Sequence, residues 1–243
     1  MKIIFLILLV LLLVYLFVVY IQTRHLIAIS DDLASNAEVF SREYDTKNDA
    51  EKSFLVIGDS TAVGTGALRK EESIAGRLGF DYPRASIINL GVNGSKTNEL
   101  IPRLTSLGDK QYDFILIQIG GNDIVRRTKL VELKQSIDAV LSEAKKHSDN
   151  VMLMTSGNVG IAKLLPFGTR FIFTKRTRAV REIFIEISEK NQVLYVDIFR
   201  ESKDDPFAQN PEKYFSEDFF HPSSEGYADW YTFVRTQLDT LSL

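Results

Sequence analysis

The stretch FLVIGDST, residues 54–61, decides the fold of this chain. Four apolar residues are followed by Gly58 and then by three small polar residues. A short, continuous apolar run that ends at a glycine is typical of a strand buried on both faces of a sheet. Four later runs have the same character: Ser86–Leu90, Phe114–Ile119, Val151–Thr155 and Val193–Ile198. The sequence therefore predicts five strands, the first over Phe54–Ile57.

Amphipathic segments of helical length alternate with these strands. They are Ile74–Phe80, Asn98–Leu107, Leu130–Lys146, Lys175–Lys190 and Ser223–Leu238. Alternation of strands and helices predicts an α/β protein whose parallel sheet is covered by helices on both faces. Because crossover connections are right-handed, we expect a doubly wound, three-layer α/β/α sandwich with strand order 2-1-3-4-5. Ligands of such sheets bind beyond the carboxyl ends of the strands.

Composition narrows the class of protein. Apolar residues make up 45% of the 243 residues, which is enough for a full core. Lys and Arg number 29 against 32 Asp and Glu, and this net charge of −3 argues against a dedicated nucleic-acid binder. Cysteine is absent, which excludes disulfides, cysteine-ligated metals and a cysteine nucleophile. Histidine chemistry is restricted to His25, His147 and His221.

The N-terminal run Ile3–Ile21 is uninterrupted by any charged residue or glycine. As a helix it would be about 28 Å long, close to the hydrocarbon thickness of a bilayer. We predict an uncleaved transmembrane signal-anchor over residues 1–22 that crosses the bilayer through residues 3–21. A cleaved signal peptide is the alternative, but its apolar region would normally be shorter, and Ala28 with Leu26 before it fits a cleavage site poorly. A buried helix of a soluble protein is a third interpretation.

Residues 23–52 form a polar juxtamembrane connector, and residues 53–243 are predicted to form the globular domain. Leu26, Leu33 and Phe40 recur at seven-residue spacing in the connector. This spacing permits an amphipathic helix that continues from the membrane. Such a helix either forms a dimerisation stalk or lies on its own domain, and we favour the second interpretation.

Ser60 lies between the end of the first strand and a predicted helix start. A serine there projects beyond the sheet edge, and a helix N-terminus favours negative charge close by. The position suits a nucleophile and a developing oxyanion, but Asp59 and Ser60 are also typical helix-capping residues. The segment is not a G-x-S-x-G elbow, because Ala62 replaces the final glycine.

Two further strand ends carry glycine or asparagine. Gly91 and Gly94 follow the second strand, where a glycine lets the backbone approach a ligand and leaves an N–H free to donate. Asn122 follows the third strand within residues 120–123 and could direct its amide N–H to the same place. Each segment alone is also an ordinary turn, because Gly, Asn and Asp dominate turns.

Asp218 and His221 lie just before the last predicted helix. A carboxylate three residues before a histidine can fold back onto the ring, fix its tautomer and let it take a proton from serine. A lone D-x-x-H pattern is weak. The other two histidines are poorer candidates, because His25 adjoins the membrane segment and His147 ends a charged helix in Lys145-Lys146-His147.

Together these segments resemble the conserved blocks of the SGNH (GDSL) hydrolase family, from about Phe54 to the C-terminus. Gly58-Asp59-Ser60 resembles the first block, with Thr61 in place of the leucine of the family's nickname. Gly94 matches the glycine of the second block, with Gly91 as the less favoured register, and Asn122 matches the asparagine of the third. Asp218 and His221 match the last block, and Pro222–Tyr227 after them is also typical.

The resemblance implies a serine esterase that acts on carboxylic esters through an acyl-enzyme, with small-molecule, lipid or lysophospholipid esters as substrates. It implies Ser60 as nucleophile, His221 as base and Asp218 as its orienting partner, with an oxyanion hole formed by Ser60, Gly94 and Asn122. This chemistry requires no metal and no organic cofactor. Exported members of the family favour a single-pass protein with its catalytic domain, residues 53–243, on the extracytoplasmic side. The alternatives are an acyltransferase or deacetylase that acts on cell-envelope glycan esters, and a catalytically silent membrane-tethered binding module.

A basic segment, residues 163–181, lies in a longer stretch from Asn150 to Arg181 that has no acidic residue. Its cations are Lys163, Arg170, Lys175, Arg176, Arg178 and Arg181, interleaved with Leu164, Leu165, Phe167, Phe171, Ile172 and Phe173. One interpretation is a cap over the site that faces anionic lipid or binds an anionic substrate. The other is a loop followed by the solvated face of a helix.

Overall fold

The sheet of the computed structural model, which describes residues 2–44, 50–166 and 168–241, has five strands. They are β1 (Lys52–Gly58), β2 (Ala85–Gly91), β3 (Phe114–Gln118), β4 (Val151–Met154) and β5 (Leu194–Val196). All are parallel, in the order β2-β1-β3-β4-β5. Ile57 of β1 lies opposite Leu90 of β2 and Ile117 of β3, so the strands end at a common edge. The predicted fold class and strand order are confirmed.

The helices of the described residues are α1 (Lys2–Asn36), α2 (Ser60–Val63), α3 (Ile74–Asp81), α4 (Leu100–Thr105), α5 (Gly121–Val125), α6 (Leu130–Ala144), α7 (Arg170–Asn191), α8 (Pro206–Gln209), α9 (Pro211–Tyr214) and α10 (Ser224–Leu238). The layers on the sheet come from helices after α1, since no residue of α1 is buried. Helices α4, α6 and α7 pack side by side, and α3 packs on α10. The stretches Phe54–Ile57 of β1, Phe114–Ile117 of β3 and Val151–Met154 of β4 are apolar because both faces of the sheet are buried there.

Three predicted elements differ from the structure in extent or in type. Helix α7 begins at Arg170, five residues before the predicted start, because neither glycine nor proline interrupts the chain between Arg170 and Asn191. Strand β5 has only three residues and pairs with β4 alone, each of the three lying opposite a residue of β4. The predicted helix over 98–107 begins as a 3₁₀ turn over Thr97–Glu99 and continues as α4.

Helix α1 runs without a break through the predicted boundary between residues 22 and 23. It is long and apolar enough to cross a membrane. The interpretation as a buried core helix is wrong, because none of its residues is buried in the protein. Beyond residue 18 its half-buried positions include Val19, Leu26 and Ala34 on a repeating three- to four-residue spacing, so one face of this half lies against the globular domain.

The predicted continuation of the helix to Phe40 is wrong. Helix α1 ends at Asn36, and the chain then runs extended beside the sheet, where the Arg42 N–H donates to the Ile87 carbonyl (2.9 Å). Phe40 therefore packs against Gly79 of α3 rather than along a helix. Residues 45–49 of the predicted connector lie outside the described residues.

Candidate active site

Ser60, His221 and Asp218 meet at the carboxyl edge of the sheet. Ser60 begins helix α2 directly after β1, and His221 lies in the loop before α10. The His221 Nε2 atom is 2.9 Å from the Ser60 Oγ, and the His221 Nδ1 atom is 2.6 Å from the Asp218 Oδ2. All three residues are buried in the protein. The structure thus brings the three predicted residues into one hydrogen-bonded chain.

The loop over residues 215–222 holds the Asp218 carboxylate in place. The Asp218 Oδ1 accepts hydrogen bonds from the backbone N–H of Phe220 (2.9 Å) and of His221 (3.0 Å), and from the Ser216 hydroxyl (2.8 Å). A bridge between Phe215 and Pro222 closes the loop. Because Oδ1 is occupied in this way, Oδ2 remains to face the imidazole ring.

The electrostatics of this pair favour an ionised Asp218. Burial acts to raise its pKa, but the hydrogen bonds and charge of His221, with the backbone donors, outweigh burial and lower the pKa to about 2. An ionised carboxylate can only accept, so the His221 Nδ1 carries the proton. The Nε2 atom is then free to accept from the Ser60 hydroxyl.

Three hydrogen-bond donors predicted to form an oxyanion hole have no partner among the described residues. They are the backbone N–H of Ser60, the backbone N–H of Gly94 and the side-chain amide of Asn122. Ser60 and Asn122 line the same pocket, whereas Gly94 lies outside that lining. The structure therefore brings two of the three predicted residues together around the pocket.

Gly91 and Gly94 differ in what their backbones require. A Cβ atom on Gly91 would lie 2.7 Å from the Val63 nitrogen, so glycine is needed there for β2 to approach α2. Gly94 has a φ of +76°, in the left-handed region that glycine adopts without strain. The packing of β2 thus accounts for glycine at position 91, and the backbone conformation accounts for glycine at position 94.

Asp59 is a buried carboxyl at the same edge. It caps helix α2, and its Oδ1 accepts from the Thr61 backbone N–H (2.9 Å) and hydroxyl (2.8 Å). Burial raises the pKa of Asp59 to about 6, against the lowering effect of the Thr61 hydrogen bonds. Threonine at the family's leucine position thus supplies a second donor to this carboxyl.

We expect Asp59→Asn to remove a pH-dependent loss of stability. The folded pKa of Asp59, about 6, lies above its unfolded value of about 3.9, so stability is fully present below pH 4 and is lost as the pH rises through 6. At pH 8 this loss is about 3 kcal/mol. The introduced amide keeps an oxygen for both Thr61 donors and carries no charge.

Unfolding by urea in detergent at pH 4 and pH 8 measures the effect. The variant should have a higher unfolding free energy than the native protein at pH 8 and the same value at pH 4. An equal difference at both pH values would contradict it.

The pocket at Ser60 has a volume of about 50 Å³. Its apolar wall comes from Phe207 of α8, Phe215 at the end of α9 and Trp230 of α10. Ser156 and Asn158 line it on the polar side, and the buried Asn158 Nδ2 has no partner among the described residues. Sequence reasoning missed these five residues. Ser156 and Asn158 follow β4 directly, so the strand-end argument that singled out Asn122 after β3 could have found them.

The two other histidines lie away from Ser60. His147 is buried, with its Nδ1 atom 2.9 Å from the Lys110 carbonyl oxygen. His25 faces a cleft between α1 and the domain. In the part of the chain that the structure describes, no group of three His, Asp or Glu side chains could hold a metal ion.

Comparisons with known proteins identify the family and the fold of this chain. The GDSL-like Lipase/Acylhydrolase family model matches residues 56–228. Esterase TesA of Pseudomonas aeruginosa is 24% identical over 163 residues, covering 64% of this chain and 75% of that protein. A lipolytic G-D-S-L family protein from Veillonella parvula superposes with a TM-score of 0.64 at 13% identity, over 78% of this chain and 99% of the other. A catalytic mutant of an acetylxylan esterase from Geobacillus stearothermophilus superposes with a TM-score of 0.58 at 19% identity, over 79% and 95% of the two chains. The chain belongs to the GDSL-like lipase/acylhydrolase family and is a hydrolase of the esterase and lipase type.

Proposed function

We propose that this protein is a membrane-anchored serine esterase that hydrolyses carboxylic esters through a covalent acyl-enzyme. The observation that carries the proposal is the hydrogen-bonded chain from Ser60 through His221 to Asp218, with distances of 2.9 and 2.6 Å. A nucleophile, a base and an orienting carboxylate in this geometry constitute the machinery for acyl transfer.

The reaction has two halves. Ser60 Oγ attacks the ester carbonyl carbon while His221 Nε2 takes the hydroxyl proton, and Asp218 stabilises the imidazolium that forms. The C–O bond to the alcohol then breaks, and Nε2 returns the proton to the departing oxygen. Water attacks the acyl-enzyme carbonyl carbon while its proton passes to Nε2. The bond to Ser60 Oγ then breaks, Nε2 returns the proton to that oxygen, and the carboxylic acid leaves. The N–H groups of Ser60 and Gly94 and the Asn122 amide stabilise the oxyanion in both halves.

The pocket dimensions support short acyl groups as preferred substrates. A cavity of about 50 Å³ has room for only a few water-sized groups, which fits an acetyl better than a long chain. Ala162 lines both this pocket and the cleft beside α1, which has a volume of about 1270 Å³. That shared residue supports lipid or lysophospholipid esters as the second candidate class, with a longer chain continuing into the cleft.

The proposed placement of the protein follows from α1. Residues 3–21 would cross the bilayer, and every described side chain from Ile3 to Val18 is exposed on the protein. Residues 53–243 would then act as a catalytic domain held at the membrane on the extracytoplasmic side, with residues 23–52 joining the two.

We expect Asn122→Ala to lower kcat for p-nitrophenyl acetate by about 10²–10³, because one oxyanion donor is lost. The native full chain in detergent should hydrolyse p-nitrophenyl esters, with the highest kcat/KM for the shortest acyl groups. Rates across a series of acyl lengths, with the melting temperature of each variant, test both parts of the proposal.

Asn98→Ala is the matched control, because Asn98 is exposed and lies outside the pocket. It should leave the rate unchanged. An undiminished rate in Asn122→Ala would remove Asn122 from the oxyanion hole. Absence of turnover by the folded native chain on every ester would contradict the esterase proposal and favour a dedicated acyltransferase or a binding module.

A further inference from the structure

A cleft separates helix α1 from the start of the basic segment. Its α1 wall includes Val19, Thr23 and Leu26, and its domain wall includes Ala162 and Phe171. Phe171 and the adjacent Ile172 have exposed fractions of 72% and 49%. Two adjacent large apolar side chains are thus held in solvent beside the end of the membrane-crossing run.

Five of the six cations of the basic segment divide into two groups, and the sixth, Arg176, is half-buried and donates to the Thr128 carbonyl oxygen. Lys163 pairs with Glu212 (3.5 Å), Arg178 with Glu201 (2.6 Å) and Arg181 with Asp197, so these three bind the domain's own carboxylates. Arg170 and Lys175 are exposed and have no ion-pair partner among the described residues. They flank Phe171 and Ile172 in the sequence, so the unpaired cations and the exposed apolar side chains lie next to each other at the start of α7.

Positions along helix α1 indicate how far each part of the domain lies from the hydrocarbon of the bilayer. The apolar run ends at Ile21, so the cleft residues Val19 to Leu26 straddle the level at which the helix would leave the hydrocarbon. From residue 22 to its end at Asn36 the helix rises about 22 Å above that level. Phe80, another exposed phenylalanine, follows Gly79, which contacts Phe40 beyond the far end of α1.

We propose that Arg170, Phe171, Ile172 and Lys175 form a second membrane contact that binds the surface of an anionic bilayer. The apolar pair enters the headgroup region, and the two cations bind lipid phosphates, as on amphipathic helices that lie at the interface. This contact fixes the rotation of the domain about α1 and turns the cleft beside the Ser60 pocket toward the lipid. The inference rests on the proposed function in one respect, that α1 crosses the bilayer.

Spin labels on single introduced cysteines test this contact, because the chain has no cysteine of its own. The full chain carries the label at Phe171→Cys and is reconstituted in phosphatidylcholine vesicles with or without phosphatidylglycerol. We expect a several-fold rise in the ratio of oxygen to nickel-chelate collisions at this position in anionic vesicles, and a smaller rise in neutral ones. Arg170→Glu with Lys175→Glu should return the label to an aqueous ratio.

Two control labels make the outcomes distinct. Leu12→Cys reports the bilayer interior, and Phe80→Cys reports an exposed phenylalanine position far along α1 from the membrane. An aqueous ratio at position 171 in anionic vesicles, with a buried label at position 12, would overturn the second contact and leave the anchor standing. Aqueous ratios at both positions would overturn the anchor as well. Turnover of water-soluble p-nitrophenyl acetate reports the esterase proposal separately, because that substrate needs no bilayer.

Discussion

Replacing Ser60 by alanine is expected to lower kcat for p-nitrophenyl acetate by about 10⁶, the largest effect of any single substitution in this protein. The proposed nucleophile is the only hydroxyl within hydrogen-bond distance of His221 Nε2 among the described residues. Without it no acyl-enzyme forms, and His221 can at most activate water against an ester bound in the remaining oxyanion hole. Steady-state kinetics in detergent measure the fall.

Covalent trapping distinguishes loss of the nucleophile from loss of the fold. A phosphonylating ester reagent should add one phosphonyl group to the native chain, on the peptide that contains Ser60, and none to Ser60→Ala. Ser188→Ala is the matched control, since Ser188 is a buried serine on α7 away from the pocket. It should retain both labelling and turnover. Labelling of Ser60→Ala at another serine, with activity retained, would assign the nucleophile elsewhere.

The sequence alone was sufficient to predict the strands, their order and the polar residues at the carboxyl edge of the sheet. Strands such as Phe54–Ile57 are recognisable because burial on both faces demands a continuous apolar run, and right-handed crossovers then restrict the order. Ser60 and Asn122 follow from this, because each comes directly after a strand and therefore reaches the carboxyl edge. The Asp218–His221 turn is local in sequence, so its geometry was also accessible.

Other features depend on contacts between distant segments. The wall formed by Phe207, Phe215 and Trp230 is assembled by packing of the C-terminal helices, and no local pattern marks it. The raised pKa of Asp59 results from burial by the whole edge. At Phe40 a local pattern is present but misleading. Its spacing from Leu33 is that of a helix, yet its side chain packs on α3 from an extended segment.

Asp218→Asn is expected to lower kcat by about 10⁴ while the loop keeps its shape. Three donors converge on Asp218 Oδ1, from Ser216, Phe220 and His221, and only the oxygen of the introduced amide can accept them. The amide NH₂ therefore takes the place of Oδ2 and donates to His221 Nδ1. The ring must then carry its proton on Nε2, which faces Ser60 and can no longer take the proton of the hydroxyl.

The pH dependence of stability supplies a readout that loss of structure would not reproduce. The folded pKa of Asp218, about 2, lies below its unfolded value of about 3.9, so its contribution is present above pH 4 and is lost as the pH falls through 2. Between pH 6 and pH 1 the unfolding free energy of the native protein should therefore fall by about 3 kcal/mol more than that of Asp218→Asn. Asp113→Asn is the control, because Asp113 accepts from the Ser53 N–H (2.7 Å) at the opposite end of the sheet and should leave kcat unchanged. If Asp218→Asn retained the native kcat, His221 would reach its reactive tautomer without Asp218, and the proposed role of that carboxylate would be wrong.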